Sequence, residues 1–248
     1  MKNKIQQICK DLEKQNDIKI IFAVESGSRL WRIDSKNSDY DVRFVFVRPI
    51  DDYLRINKLK DVIEYNGENI DVVGFDLYKY GKLLMASNPT VIEWLLSDIV
   101  YYGKQPKELL TFIHKNFNPA AIFYHYISMC KQNYLKYIKS KNKITYKKYL
   151  YAMRGLLNAL WVKKLKEIPP INFNVSLQQR DLLPEKIRER LLKIIALKKN
   201  GKEEEIVENS KIFDNFIEKQ LKTLEAPTSK KLKDQNMLDK SILRILST

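Results

Sequence analysis

Long apolar runs are missing from this 248-residue chain. None approaches the roughly 20 residues of a membrane-crossing helix, so no membrane span is expected. The opening residues, MKNKIQQICKDLEKQ, lack the apolar core of a signal peptide and read as an amphipathic helix. Cysteine is nearly absent too. Cys9 and Cys130 stand alone, without a CxxC pattern or a histidine at ligand spacing. They read as buried or free thiols of a reducing compartment, and no structural zinc site is expected. The expected location is the cytoplasm. The only histidines, His114 and His125, are far apart, and ordinary helix positions explain them better than catalysis does. No internal repeat is visible.

What remains is a chain able to bury a core. It is 44% hydrophobic and 30% charged, long enough for one large domain or two small ones. The net charge of +15 is unevenly spread. Residues 1–100 hold 15 Lys/Arg against 16 Asp/Glu, and residues 101–248 hold 30 against 14. Acidic chemistry in the first part and a surface that attracts polyanions in the second is one reading. A Lys-rich solvated helix surface is the other.

One stretch organises the rest: ESGSRLWRIDSKNSDYD, from Glu25 to Asp41. The apolar run 18–24 precedes it and VRFVFV, 42–47, follows, both rich in β-branched and aromatic residues. The stretch is therefore a loop and short helix between two strands. Gly27 can adopt backbone angles other residues avoid, and Ser28 follows where a helix could begin. Free N–H groups and a hydroxyl there suit a phosphate. Asp39 and Asp41 are two apart on the second strand and share a face. Neighbouring carboxylates repel unless a cation lies between them, and a divalent ion with oxygen ligands is the natural one. A Gly-Ser pair or a DxD alone could be a polar turn or an acidic strand edge. Ten residues apart, with a strand on each side, they become specific.

In chain order, residues 1–15 read as a helix, 18–24 and 39–47 as strands, and 51–54 as a turn or short helix. Residues 61–65 and 70–75 flank Asn66-Gly67, a hairpin signal. Asp71 alternates with the apolar residues of its strand and is expected to face Asp39 and Asp41. Asp76 reads as the N-cap of a helix to about 87, and Asn88-Pro89 starts another to about 97. Residues 99–102 are ambiguous. Helices are expected over 106–116, 119–138, 144–166, 184–199, 202–222 and 235–246, with a loop at 168–175 and a link at 226–231. The fold class is α+β: a mixed sheet with flanking helices in a catalytic domain of residues 1–103, then a helical domain of residues 104–248 closing the cleft. On the 144–166 helix, Leu150, Met153, Leu157 and Leu160 form a core stripe. Lys147, Tyr151, Arg154 and Asn158 share another face. That face could hold a triphosphate or could be solvated.

The strand–GS–x10–DxD–strand unit, with a third Asp on a later strand, resembles the nucleotidyltransferase fold of the DNA polymerase beta superfamily. More closely, ESGSRLW…SDYDVRFVFVRP resembles the YcgL family, also called RNA-ligase-associated predicted nucleotidyltransferases. NPTVIEWLLSDIVY, YHYISMCKQNYLKYI, KKYLYAMRGLLNALWV and PPINF match in order, so the similarity runs from about residue 18 to the end. Two positions depart from the pattern: Arg32 where the family usually has Gly, and Gly155 where it usually has Pro.

The resemblance implies a metal-dependent enzyme. Asp39 and Asp41 would bind Mg2+ or Mn2+, and Asp71 would complete the site and accept the proton of an attacking hydroxyl. Gly27, Ser28 and Arg29 would hold the phosphates of an NTP such as ATP, with Lys147, Lys148, Tyr151 and Arg154 supplied from the helical part. A nucleoside monophosphate would pass to an acceptor, expected to be an RNA end, and pyrophosphate would leave. Transfer to a protein, as in antitoxin-type enzymes, is the first alternative, and a binding module without turnover is the second. An aminoglycoside acceptor is poorly served by a cationic surface.

Overall fold

The computed structural model describes residues 1–57, 59–139, 141, 143–202, 204–207, 211–230 and 234–247. In order the elements are α1 (Lys2–Asn16), β1 (Lys19–Glu25), α2 (Gly27–Leu30), β2 (Tyr40–Val47), α3 (Ile50–Tyr53), β3 (Val62–Gly67), β4 (Ile70–Asp76), α4 (Leu77–Met85), α5 (Pro89–Leu96), β5 (Val100–Gly103) and α6 (Lys107–Asn116). They continue as α7 (Pro119–Tyr137), α8 (Tyr146–Leu165), α9 (Phe173–Gln178), a 3-10 turn (Arg180–Leu182), α10 (Glu185–Lys199), α11 (Lys211–Thr223) and α12 (Gln235–Leu246). The α+β reading is correct.

The chain forms two compact units. The sheet unit holds Met1–Leu30, Asp39–Phe117 and the C-terminal residues from 234. The helical unit holds Trp31–Ser38 and Asn118–Lys230. A simple cut at residue 103 differs from this in three places. Helix α6 stays with the sheet unit and packs on α5, burying Leu109, Phe112 and Ile113. Helix α12 returns to it, where Gly81 of α4 leaves room for Ile242: a Cβ on Gly81 would lie 2.6 Å from its Cδ1. Residues 31–38, inside the signature stretch, belong to the helical unit.

The sheet has the order β3-β4-β2-β1-β5, with β2 and β4 parallel and all other neighbours antiparallel. Val42, Phe44 and Phe46 alternate on one face of β2 and pack with Ile5, Ile8 and Leu12 of α1. Burying each such side chain contributes about 1.5–3 kcal/mol. A bulge between Ile20 and Phe22 reverses the alternation of β1. Ile20 and Ala23 therefore join the α1 face, while Phe22 meets Tyr80 of α4 edge-on at 5.9 Å. Phe75 and Trp94 lie 4.6 Å apart.

Local signals hold in several places. Asp76 caps α4, its carboxylate accepting from the Tyr78 N–H at 2.8 Å, and Asn88 caps α5 ahead of Pro89. The hairpin is real but its two turn residues are Glu68 and Asn69, since Gly67 still pairs with Ile70. Asn69 takes the left-handed angle, φ 57°. The ambiguous 99–102 segment is the edge strand β5. The predicted loop at 168–175 contains the start of α9, capped by Asn172. Of the helix expected over 202–222, the part from Lys211 is helical, while Ile206 instead bridges to Thr145. Residues 203 and 208–210 of that helix, and Lys231 of the expected link, lie outside the described residues.

In the helical unit, α7 and α8 approach closely at Gly155, where a Cβ would lie 3.0 Å from the backbone of both Tyr126 and Cys130. Two tyrosines tie α11 to this pair: Tyr149 donates to Asp214 at 2.6 Å and Tyr134 to Glu218 at 2.9 Å. Ile33 is fully buried in the same core, and the Phe173 N–H donates to the Trp31 carbonyl at 3.1 Å. Both cysteines are buried free thiols, pushed up to about 12 by burial above all. Among the described residues, no helix is long and apolar enough to cross a membrane.

Candidate active site

The parallel pairing of β2 with β4 places Asp41 directly beside Asp71. On β2 the alternation that buries Val42 and Phe44 against α1 turns Asp41 and Arg43 to the other face. Side by side, two carboxylates repel. Arg43 relieves this. Its Nη2 lies 2.7 Å from Asp71 Oδ2 and 3.3 Å from Asp41 Oδ1. Its Nη1 donates to the carbonyls of Val42 at 2.9 Å and Asp71 at 3.0 Å. The side chains are 17% exposed for Arg43, 30% for Asp41 and 42% for Asp71. Asp39 lies just before β2 and is exposed.

The other oxygen of Asp41 points at the signature turn. Gly27 has φ +63°, and a Cβ there would fall 1.9 Å from Asp41 Oδ2. Glycine is thus required twice, for the backbone angle and for the space. Ser28, the next residue of the one-turn helix α2, is buried. Arg29 donates from Nε to the Asp39 carbonyl at 3.1 Å and stacks over the Tyr40 ring at 3.9 Å, fastening the turn to the start of β2.

Behind the turn lies a buried acid. Glu25 is fully buried, accepts from the Asp41 N–H at 2.9 Å through Oε1, and accepts a short hydrogen bond from the Tyr101 hydroxyl through Oε2. The Ser26 N–H donates to the Asp41 carbonyl at 2.8 Å, and the Ser97 hydroxyl to the Glu25 carbonyl at 2.9 Å. Burial raises the Glu25 carboxyl above its ordinary value, with the bonds from Tyr101 and Asp41 opposing. Asp41 is therefore held from both sides along its backbone.

The remaining predicted residues lie in the helical unit. Lys147 is exposed. Lys148 Nζ lies 6.0 Å above the Tyr137 ring, and Tyr151 meets Trp31 edge-on at 5.6 Å. Arg154 and Asn158 are not a solvated face. Both are buried, and the Arg154 guanidinium lies 3.6 Å from the centre of the Trp31 ring. Position 31 of the signature stretch and this α8 stripe are thus brought together. Sequence reading passed over Arg43, Glu25, Tyr101 and Trp31. Only Arg43 carried a signal, its position two residues after Asp41 on the same strand face.

Among the described residues, no group of three or more His, Cys, Asp or Glu forms a metal cage. That still fits magnesium, which commonly takes one or two carboxylates and completes its shell with water and substrate phosphates.

A model of the RlaP family, the RNA repair pathway DNA polymerase beta family, matches residues 1–245. The chain belongs to this family. It is 34% identical to the uncharacterized protein YcgL of Bacillus subtilis (strain 168), over 100% of this chain and 96% of that one. Its fold is shared with the spectinomycin adenyltransferase AAD(9) of Enterococcus faecialis, solved with ATP and spectinomycin. That alignment has a TM-score of 0.51 at 13% identity and covers 89% of this chain and 98% of the other. The chain is a nucleotidyltransferase.

Proposed function

We propose that this enzyme transfers a nucleoside monophosphate from an NTP to a hydroxyl at an RNA end. The observation that carries the reading is the in-register pair Asp41 and Asp71, with Asp41 Oδ2 against the bare α-carbon of Gly27. Asp39 and Asp41 would hold Mg2+ together with the triphosphate, and the ion would supply charge stabilisation for the phosphoryl oxygens. Gly27 lets the Asp41 carboxylate close against the turn, and the N–H groups after it would receive a phosphate. Asp71 Oδ1 is left to accept the proton of the attacking hydroxyl, since Arg43 occupies Oδ2. Glu25, itself held by the Tyr101 hydroxyl, keeps Asp41 in register by accepting from its N–H. Arg29 keeps the turn closed on Asp39.

RNA as acceptor is supported by the family's description and by the surplus of 16 positive charges in residues 101–248. Those charges attract a polyanion and repel a cationic acceptor such as an aminoglycoside. The test is incubation with each α-labelled NTP and Mg2+, offering total RNA and lysate protein together. Label is expected on RNA, and Asp41→Ala should abolish it without unfolding the protein. Label on protein alone would move the acceptor to a polypeptide. RNA binding should also weaken steeply with salt. The triple change of Lys163, Lys164 and Lys166 to Ala should lower the log–log slope by about 2, at roughly 0.7 per lost single-strand contact.

A further inference from the structure

A second concavity lies at the far end of the strands that carry the acids. Asp41 and Asp71 stand near the starts of β2 and β4, whereas Arg48 follows β2 and Asp76 ends β4. From Asp71 to Asp76 is about 17 Å of strand, at roughly 3.3 Å per residue. There, residues of α3, of the segment after it and of α4 line a cavity of about 610 Å3. That is the size of a small-molecule site. Its walls are tied together before any ligand arrives. The Arg48 guanidinium donates to the Asn16 carbonyl at 3.3 Å and to the Lys60 carbonyl at 3.1 Å. The Tyr53 hydroxyl accepts from the Arg48 N–H at 3.1 Å and donates to the Asp76 carboxylate at 2.8 Å. The Asp76 N–H donates to the Asp61 carbonyl at 2.9 Å.

The lining is apolar with a cationic surplus. Tyr53 and Tyr78 set their rings 5.1 Å apart, and Tyr78 is 43% exposed. Ile50, Leu54 and Leu59 also line the cavity, and all three are exposed. Single exposed apolar side chains are ordinary, but several around one cavity mark a binding surface. The acids of the lining are all answered. Asp52 pairs with Arg55 at 2.9 Å and Asp61 with Lys79 at 3.1 Å. The buried Asp76 accepts from Tyr53 and from the Tyr78 N–H, with the positive charge of Arg48 close by. Lys60 and Lys82 complete the charged lining, and neither ammonium has a partner among the described residues. Tyr78 and Lys82 are four positions apart on α4 and share its face.

We propose that this cavity is a second ligand site, taking a small molecule with an aromatic ring and an anionic group. The ring lies against Tyr78 and the apolar rim. The anion is met by Lys82, one helical turn further along, and Lys60 adds to the attraction. The reacting acids are too far away to take part, so the proposal stands apart from the active-site reading.

The test uses anilinonaphthalene sulfonate, an aromatic anion, titrated into the full chain by fluorescence and calorimetry. Saturable binding at one site is expected. Lys82→Glu should weaken it by about tenfold or more, and should leave the same rings without the sulfonate, phenylnaphthylamine, bound within about twofold of wild type. Lys10→Glu makes the same charge change on an exposed position of α1 outside the cavity, and should stay within about twofold. Tyr78→Ala should weaken both compounds by about fivefold or more. Asp41→Ala should affect neither. Competition then separates two sources of the ligand: displacement by AMP points to a nucleotide, and displacement by naphthoate alone to an aromatic acid. No saturable binding by folded wild type overturns the proposal. So does equal weakening by Lys82→Glu and Lys10→Glu, or loss of binding in Asp41→Ala, which would put the compound among the acids. Lys82 is exposed and unpaired, so its variant decides the matter even where Tyr78→Ala fails to fold.

Discussion

Gly27→Ala should disable the enzyme while leaving it folded. The added Cβ would start 1.9 Å from Asp41 Oδ2 and 2.8 Å from its Cγ. Ordinary contact begins near 3.4 Å, so the carboxylate must retreat by at least about 1.5 Å. Asp41 can do this because it is only partly buried, so its own displacement threatens function more than folding. A misplacement of about 1 Å at a reacting centre costs on the order of 100-fold in rate, so we expect kcat to fall by at least that factor. Stability should also fall by roughly 1–2 kcal/mol, because alanine at φ +63° is strained. Gly201→Ala is the control. It has φ +83° and nothing within 4 Å of a new Cβ, so it carries the strain without the collision. Urea melts and single-turnover NMP transfer on both variants separate the two effects. Similar stability losses with activity lost only at position 27 fit the geometry. A Gly27→Ala enzyme that transfers within threefold or so of Gly201→Ala would refute it, because a displacement this large should cost about 100-fold.

Further outcomes follow from the same contacts. Arg32, where the family usually has glycine, has φ +62°, so Arg32→Gly should raise stability by roughly 0.5–1 kcal/mol in urea melts after the entropy of the unfolded glycine is subtracted. Gly155→Ala should gain helix propensity but push α7 back from α8, with a net loss of about 1 kcal/mol. Glu25 has a folded-state value raised above about 4.5 by burial, so the folded protein holds its proton longer than the unfolded chain. Wild type should therefore lose stability relative to Glu25→Gln as pH rises from about 4.5 through the raised value, and be level with it below, as melts in a pH series would show.

The strands and most helices were legible because their signals are local. Alternation marked β2 and β4, Asp76 and Asn88 marked helix starts, and the Gly-Ser to DxD spacing marked the turn between strands. What failed depended on distant partners. Nothing in residues 104–116 distinguishes a helix bound for the sheet from one bound for the bundle, because both need the same apolar stripe. The helix expected at 202–222 was cut short by a bridge from Ile206 to Thr145, a pairing about 60 residues apart that no window could reveal. The Asn66-Gly67 pair is a strong turn signal, yet the register of β3 against β4 moved the turn to Glu68-Asn69.

The site shows the same division, and its arginines show why. Spacing placed Arg154 on a polar stripe of α8 and left its surroundings open, because helical periodicity fixes a direction and not a neighbour. The neighbour is Trp31, more than 100 residues away, whose ring takes the guanidinium at 3.6 Å. Arg43 stood inside the VRFVFV strand with no role assigned to it. Its face was readable from its distance to Asp41. Its role was not, because that depends on β4 running parallel to β2 and bringing Asp71 into register. The sequence shows three acids and suggests a cation between them; the fold adds that a fixed cation is already there. A motif search that counts only carboxylates misses this ion pair, because the register of β2 against β4 creates it.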